Sequence, residues 1–438
     1  AARSGSPLVI GVGLGEHFIA SDASALLPVT RRFVYLEEGD FADITPGKLT
    51  IYDKDGNIAE REIRESDLSA ESTSKAGYRH YMLKEIYEQP ASMIEVLEGR
   101  VIEGKVLDSA FGPKAAEIFD KVKSVQIIAC GTSYHAGLVT RYWMEALAGI
   151  PCRVEVASEY RYRDPVLLDD TLVVTISQSG ETADTLAALR GIKDRTDMTL
   201  AICNVPESSL VRESELQLMT RAGPEIGVAS TKAFTTQLVA LMMLVIVLGT
   251  RRGVSDARAQ SLLHHLIELP GLMGKMLEDV QGINDWAEAF TDHDNAIFLG
   301  RGLLYPIALE GALKLKEISY IHADAYPAGE LKHGPIALID PDMPTIAIAC
   351  VDGHEGKIKS NLQEVLARGG EVYLFADERL KMDDLGEQCH VMTVPAIEAE
   401  LAPILYAIPL QLFSYYVAVH KGTDVDQPRN LAKSVTVE

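Results

Sequence analysis

The sequence predicts an α/β architecture: two tandem domains, each a parallel sheet flanked by helices, preceded by a partial β-rich segment. Three observations carry this expectation. From about residue 120 onward, apolar runs of strand length alternate with helical patterns, as in a parallel sheet covered on both faces. The pattern then recurs at a period of roughly 170 residues. Residues 296–302 match 127–131, 344–349 match the strand before Ser177, and 371–375 match the strand near 200. Finally, a chain of 438 residues exceeds one ordinary core and implies two to three domains at about 150 residues each.

Residues 1–70 read as β-structure broken by turns. Runs at 7–10 and 33–36 are strands, and Leu49-Thr50-Ile51-Tyr52 enters a hairpin at the Asp-Gly turn of 53–57. The glycines at 11, 13 and 15 do not make the G-x-G-x-x-G of a dinucleotide site, because position 16 is Glu. Residues 71–115 are polar and helix-prone, and Pro90 should end or re-aim their central helix. Strands follow at 125–130, 153–156, 171–176 and 200–205, and the stretch 231–288 is helical. The second copy adds a helix at 306–318 and an apolar helical pattern over 404–420. The polar tail, 421–438, has no hydrophobic period, a composition that usually leaves tails disordered.

A net charge of -22 argues against non-specific binding to nucleic acid or to an anionic membrane. It does not forbid a small phosphate, which local amides and hydroxyls can hold. Five dispersed cysteines without a C-x-x-C pair read as reduced core thiols in a reducing cytoplasm. The start of the chain has no basic segment leading into an apolar one, so no signal peptide is expected. The longest apolar run, 238–248, is short for a membrane span and reads as a buried helix.

In open α/β sheets, ligands bind outside the carboxyl ends of the strands. Cys130-Gly131-Thr132-Ser133 follows one strand there, and Ser177-Gln178-Ser179-Gly180-Glu181-Thr182 follows another. Gly180 lets the backbone turn without a Cβ clash, and outward hydroxyls and helix N–H groups suit a phosphate monoester. No G-x-x-x-x-G-K-[ST] occurs, which excludes that nucleoside triphosphate cradle. Helix capping is the plainer reading of either turn alone; two such turns in one repeat favour phosphate. Residues 224–232 form a third small-residue approach to a helix, in which Ser230 reads equally well as a cap.

Glu310, Lys314 and Glu317 share one helix face at i, i+4 and i+7. They are either an exposed ion-pair stripe or a general base beside a cation that tunes it. His333, in a turn-rich segment, is either a proton-transfer group or a solvated loop histidine. Nothing intrinsic to the tail marks Lys433, although a lysine in a dehydrated pocket forms a Schiff base with a ketose.

Taken with Val228-Ala229-Ser230-Thr231-Lys232, Glu330-Leu331-Lys332-His333-Gly334-Pro335 and the closing run 424–438, these motifs resemble one family from end to end. It is the bacterial glutamine–fructose-6-phosphate aminotransferase (isomerizing) family. The resemblance implies two sugar isomerase (SIS) domains, at 116–255 and 289–420, joined by a helical connector at 256–288. It makes 1–70 the C-terminal part of an Ntn-type glutaminase domain, 71–115 a linker and 421–438 an active-site tail. The implied reaction converts fructose 6-phosphate to glucosamine 6-phosphate, with glucose 6-phosphate as a related ligand and neither cofactor nor metal.

Residue by residue, the resemblance makes Ser133, Ser177, Gln178, Ser179 and Thr182 phosphate ligands, and Thr132, Val228 and Ala229 sugar contacts. Lys433 becomes the lysine that forms an imine at C2, and Glu317 the base that moves a proton between C1 and C2. His333 becomes the ring-opening group, contributed across a homodimer interface, with Lys314 as its assisting cation. The family's Cys nucleophile and its glutamine-binding elements precede the segment seen here. The expectation is therefore a cytoplasmic protein whose own activity is the isomerase half. Two other readings compete: a sugar-phosphate isomerase or deglycase that uses no ammonia, and a non-catalytic sugar-phosphate sensor. A sensor has no need of Glu317, His333 and Lys433, and all three are present.

Overall fold

The computed structural model describes residues 1–5, 7–66 and 74–437. Five residues of the expected N-terminal segment, 6 and 67–70, three of the linker, 71–73, and Glu438 of the tail lie outside the described residues. The first parallel sheet runs Cys152–Val156, Ser124–Ala129, Thr171–Ser177, Thr199–Cys203, Leu216–Met219. Its three central strands are buried along their whole length, which is why they stand out as unbroken apolar runs. The second sheet runs His322–Pro327, Asn295–Gly300, Thr345–Ala349, Val372–Asp377, Cys389–Val394, also all parallel. In both sheets the order by appearance in the domain is 2-1-3-4-5. The chain therefore reverses direction across the sheet between the first and third strands, and a crevice opens at their carboxyl ends.

Two helices fill the space between the sheets. In Lys232–Thr250 every residue but the last is buried, and Ala402–Lys421 is nearly as enclosed. Both are, by length and composition alone, long and apolar enough to cross a bilayer, but residues 238–248 lie in a buried helix, as expected. The helix itself extends beyond that run, to Lys232–Thr250, and 94% and 89% of the two apolar windows are packed inside the protein.

The linker helix Tyr81–Leu97 continues through Pro90, so the proline does not end it. Proline has no N–H to offer the Ile86 carbonyl. Gln89 Nε2 donates to that carbonyl instead, at 3.0 Å, and also to Gln411 Oε1 at 2.9 Å. The lost backbone bond is thus replaced by a side chain that also ties the helix to Ala402–Lys421.

The N-terminal module is antiparallel, in the order His17–Ala20, Val9–Val12, Arg32–Tyr35, Ile63–Glu65. Its hairpin pairs Phe41–Thr45 with Lys48–Tyr52, so the tight turn is Pro46-Gly47. The Asp-Gly turn at 53–57 comes after it and leads only to an isolated bridge from Tyr52 to Ile58.

Candidate active site

The strand Thr171–Ser177 delivers Ser177 to the crevice, and the turn that follows is braced by its own hydroxyls. Gly180 N donates to Ser177 Oγ at 3.0 Å, and Ser177 Oγ lies 2.9 Å from Thr182 Oγ1. Glu181 N donates to Ser179 Oγ at 3.2 Å. Gly180 sits at φ +67°, a left-handed conformation that glycine adopts without cost. The Gln178 carbonyl accepts from Asn204 N at 3.2 Å, which anchors the turn to the next strand.

Capping does not explain these residues. Thr182 precedes helix Ala183–Ile192 and Cys130 precedes Gly131–Trp143, and neither makes a side-chain cap bond. Ala183 N instead donates to Val435 O of the tail at 3.0 Å. Ser133 lies buried in the first turn of Gly131–Trp143. In the second domain, the turn after Thr345–Ala349 is filled by its own acids. Asp352 accepts from His354 N and Glu355 from Gly353 N, each at 2.8 Å.

Helix Tyr305–Ser319 of the second domain faces this crevice. The Glu310, Lys314 and Glu317 stripe is not exposed: Glu310 and Lys314 are 2% and 1% accessible. Thr132 Oγ1 donates to Glu310 Oε1 at 3.0 Å and accepts from Lys314 Nζ at 3.2 Å. Lys314 Nζ donates to Glu317 Oε2 at 2.5 Å and lies 3.5 Å from Glu310 Oε1. Burial alone would favour neutral Lys314, but Glu317 and then Glu310 outweigh it and hold its pKa above the ordinary lysine range. His135 Nδ1, 2.7 Å from Glu310 Oε2, completes the cluster.

The tail is docked, not loose. Val425 is fully buried, the Asp426 carboxylate accepts from Tyr81 N and Met82 N, and Arg429 stacks on the Tyr320 ring. This leads Lys433 into the crevice, where Nζ donates to Glu225 Oε2 at 2.6 Å and to Gly227 O at 2.8 Å. Glu225 is itself buried, and its Oε1 accepts from Thr231 N and Ala233 N, both at 2.9 Å, so it caps helix Lys232–Thr250. Ser230, a possible cap by sequence, donates its hydroxyl to Glu225 instead. Val228 and buried Ala229 follow Gly227, and Val228 N donates to Asp426 O at 3.0 Å. Glu225 also raises the pKa of Lys314, which places the two lysine clusters within electrostatic reach of each other.

His333 ends the short helix Ala328–His333 and is exposed. No hydrogen bond or ion pair among the described residues joins it to these clusters. Four residues of the site went unmarked in the sequence: Glu85, His135, Glu225 and Asp426. A carboxylate seven residues before the first residue of the helix it caps was the one available signal, at Glu225.

The SIS domain family matches this chain twice, at residues 118–247 and 289–421. The glutamine–fructose-6-phosphate aminotransferase (isomerizing) of Pseudomonas putida is 62% identical over 440 residues, covering 100% of this chain and 72% of that protein. The chain belongs to this aminotransferase family. The Escherichia coli K12 member is 58% identical over 443 residues, with the same coverage. Among solved structures, the C-terminal domain of glucosamine-fructose-6-phosphate aminotransferase from Francisella tularensis superposes with a TM-score of 0.78. It is 51% identical and covers 81% of this chain and all of that one. A glucosamine-6-phosphate deaminase from Thermotoga maritima, 24% identical with a TM-score of 0.63, shares the fold. The aminotransferase family thus accounts for both SIS domains, and the N-terminal strands fit part of its glutaminase domain.

One acid of this aminotransferase-family site is poised near neutrality. Glu85, on the linker helix, accepts from Ile226 N at 2.5 Å and Gly227 N at 3.1 Å. Burial first, and the Glu225 charge second, push its pKa up to about 7 from the ordinary 4.5. A raised carboxyl pKa stabilises the fold while the group is protonated. That contribution is complete below about pH 4.5 and is lost as pH rises through about 7, a difference of roughly 3 kcal/mol. The pKa of Glu225 is depressed, because Lys433 and the helix N–H groups outweigh its burial, so its contribution fades only in strong acid. Glu85→Gln, which fixes the neutral form, is expected to raise the melting temperature near pH 8 and flatten the pH dependence between about pH 5 and 8. Thermal unfolding across that range measures it, and a slope equal to the parent's contradicts the assignment.

Proposed function

We propose that the chain isomerises and aminates fructose 6-phosphate to glucosamine 6-phosphate in the crevice between its SIS domains. One observation carries this reading. The Thr132 hydroxyl of the first domain bonds both Glu310 and Lys314 of the second, which joins an acid–base cluster of one domain to a strand-end turn of the other. Ser133, Ser177, Gln178, Ser179 and Thr182 hold the phosphate, while Thr132, Val228 and Ala229 line the sugar. Anchoring the phosphate, remote from C1 and C2, supplies the energy that orients the reacting carbons.

Lys433 must lose its proton before it can attack, and the Glu225 carboxylate 2.6 Å away holds the amine in the crevice. The amine then adds to C2 of the open ketose, water leaves, and the resulting imine acidifies the C1 protons. Ammonia displaces the lysine and leaves nitrogen on C2. Glu317 removes a proton from C1 and returns one to C2, which gives the 2-amino aldose. His333 opens the ring, assisted by Lys314. Its exposure fits a residue that serves the site of the second subunit in a homodimer. The relatives are named for glutamine as nitrogen donor; added ammonia tests the sugar chemistry directly.

With fructose 6-phosphate and ammonium, the expected product is glucosamine 6-phosphate; without ammonium, glucose 6-phosphate. Glu317→Gln should lower kcat on the order of a thousandfold with little change in KM. Undiminished turnover in that variant removes Glu317 from the mechanism. An unaminated product despite added ammonium makes the protein a plain isomerase.

A further inference from the structure

Arg3 belongs to the N-terminal module, yet its side chain is 4% exposed because it reaches out of that module into the first SIS domain. Its backbone stays at home: Arg3 N donates to Asp40 O at 2.8 Å, and Gly39 N donates to Arg3 O at 3.1 Å. Nη1 donates to Leu36 O at 2.5 Å, and Nε lies 3.6 Å from the half-exposed Glu38 carboxylate. Nη2 crosses the boundary. It donates to Ser209 Oγ at 2.6 Å and lies 3.7 Å from Glu181 Oε2.

Glu181 is part of the serine-rich turn. Its Oε1 accepts from Ser209 N at 2.7 Å, while Oε2 is buried without a hydrogen-bond partner among the described residues. The Arg3 guanidinium therefore lies within ion-pair distance of this carboxylate, and Arg212, whose Nη2 also donates to Ser209 Oγ at 3.3 Å, adds a second positive charge nearby. The turn and helix Ser209–Glu213 are also locked to each other. Leu210 N donates to Gly180 O at 3.0 Å, and Ser208 packs where a Cβ on Gly180 would fall. Whatever fixes Ser209 and Glu181 consequently fixes the backbone of the turn. No Lys or Arg occurs between residues 177 and 182. A phosphate dianion arriving there meets the Glu181 charge, and a cation at short range offsets that repulsion.

We propose that Arg3 is a positioning residue for the phosphate turn: from the N-terminal module it holds Glu181 and Ser209, and so keeps the turn in its binding form. This rests on the reading of 177–182 as the phosphate site. In the 438-residue chain, Arg3→Met should raise the KM for fructose 6-phosphate about tenfold and weaken competitive inhibition by inorganic phosphate equally, with kcat within about twofold of the parent. In a Glu181→Gln background, the effect of Arg3→Met should shrink to about twofold, because the two residues act through each other. A tenfold effect in both backgrounds, or kcat falling with KM unchanged, overturns the proposal. Ser179→Ala separates the two readings. If it leaves phosphate inhibition intact, the turn is not the phosphate site; if it abolishes inhibition while Arg3→Met does not weaken it, Arg3 alone is misassigned. Should Arg3→Met not fold, Arg3→Lys, which keeps the charge but not the fork, is expected to raise KM about threefold, and an unchanged KM counts against the proposal.

Discussion

Lys433→Ala is expected to abolish borohydride trapping of fructose 6-phosphate on the protein, while the sugar phosphate still binds through the serine-rich turn. Trapping requires an imine, and an imine requires the Lys433 amine. The variant also leaves Glu225 buried with its cation removed, and breaking a buried pair costs roughly 3–5 kcal/mol. Lys433 keeps a quarter of its side chain accessible, so the loss should fall at the lower end. Lys433→Arg separates the two effects. It retains a charge beside Glu225 but offers no nucleophile, so it should match the parent in melting temperature and the alanine variant in trapping. Mass spectrometry after reduction reads the adduct directly. A trapped adduct of parental yield in either variant would take the imine away from Lys433.

The second large effect is expected at Gly180. Its φ of +67° is unfavourable for any residue with a Cβ, and a Cβ there would lie 2.1 Å from Ser208 Oγ, 2.5 Å from Ser208 Cβ and 2.8 Å from Cys203 Sγ. Three atoms on two residues cannot all retreat, since Cys203 lies in a fully buried strand. Gly180→Ala should therefore combine backbone strain of roughly 1–3 kcal/mol with overpacking of similar size. The strain falls on the turn itself, so affinity for inorganic phosphate should drop at least tenfold, beyond what the lost stability explains. Phosphate titration of the folded fraction measures this. Parental affinity together with parental stability would mean the turn adopts another form in solution.

The central strands could be read from the chain because burial on both faces leaves them uniformly apolar, as in Thr171–Ser177. The edge strands Leu216–Met219, His322–Pro327 and Cys389–Val394, whose burial is mixed, carry no such run, although the edge strand Cys152–Val156 was still legible at 153–156. The serine-rich turn was legible, since it is local in sequence. The surroundings of Lys433 were not: its partner Glu225 is 208 positions away, and Asp426 caps a helix 345 positions away. Periodicity likewise put Glu310, Lys314 and Glu317 on one face without revealing that Thr132 and His135 of the other domain cover it. At Pro90 a sound local rule lost to a neighbouring side chain, because Gln89 satisfies the carbonyl that proline leaves open.

The two sheets share one strand order, yet the turn braced by the Ser177, Ser179 and Thr182 hydroxyls in the first copy is held in the second by Asp352 and Glu355. The copies have become unlike partners: one presents strand-end turns, and the other presents the flank of a helix. On the proposed assignment, exchanging either half for its sibling is expected to abolish the reaction. The symmetry persists in the strand order, and the residues at the strand ends no longer share it.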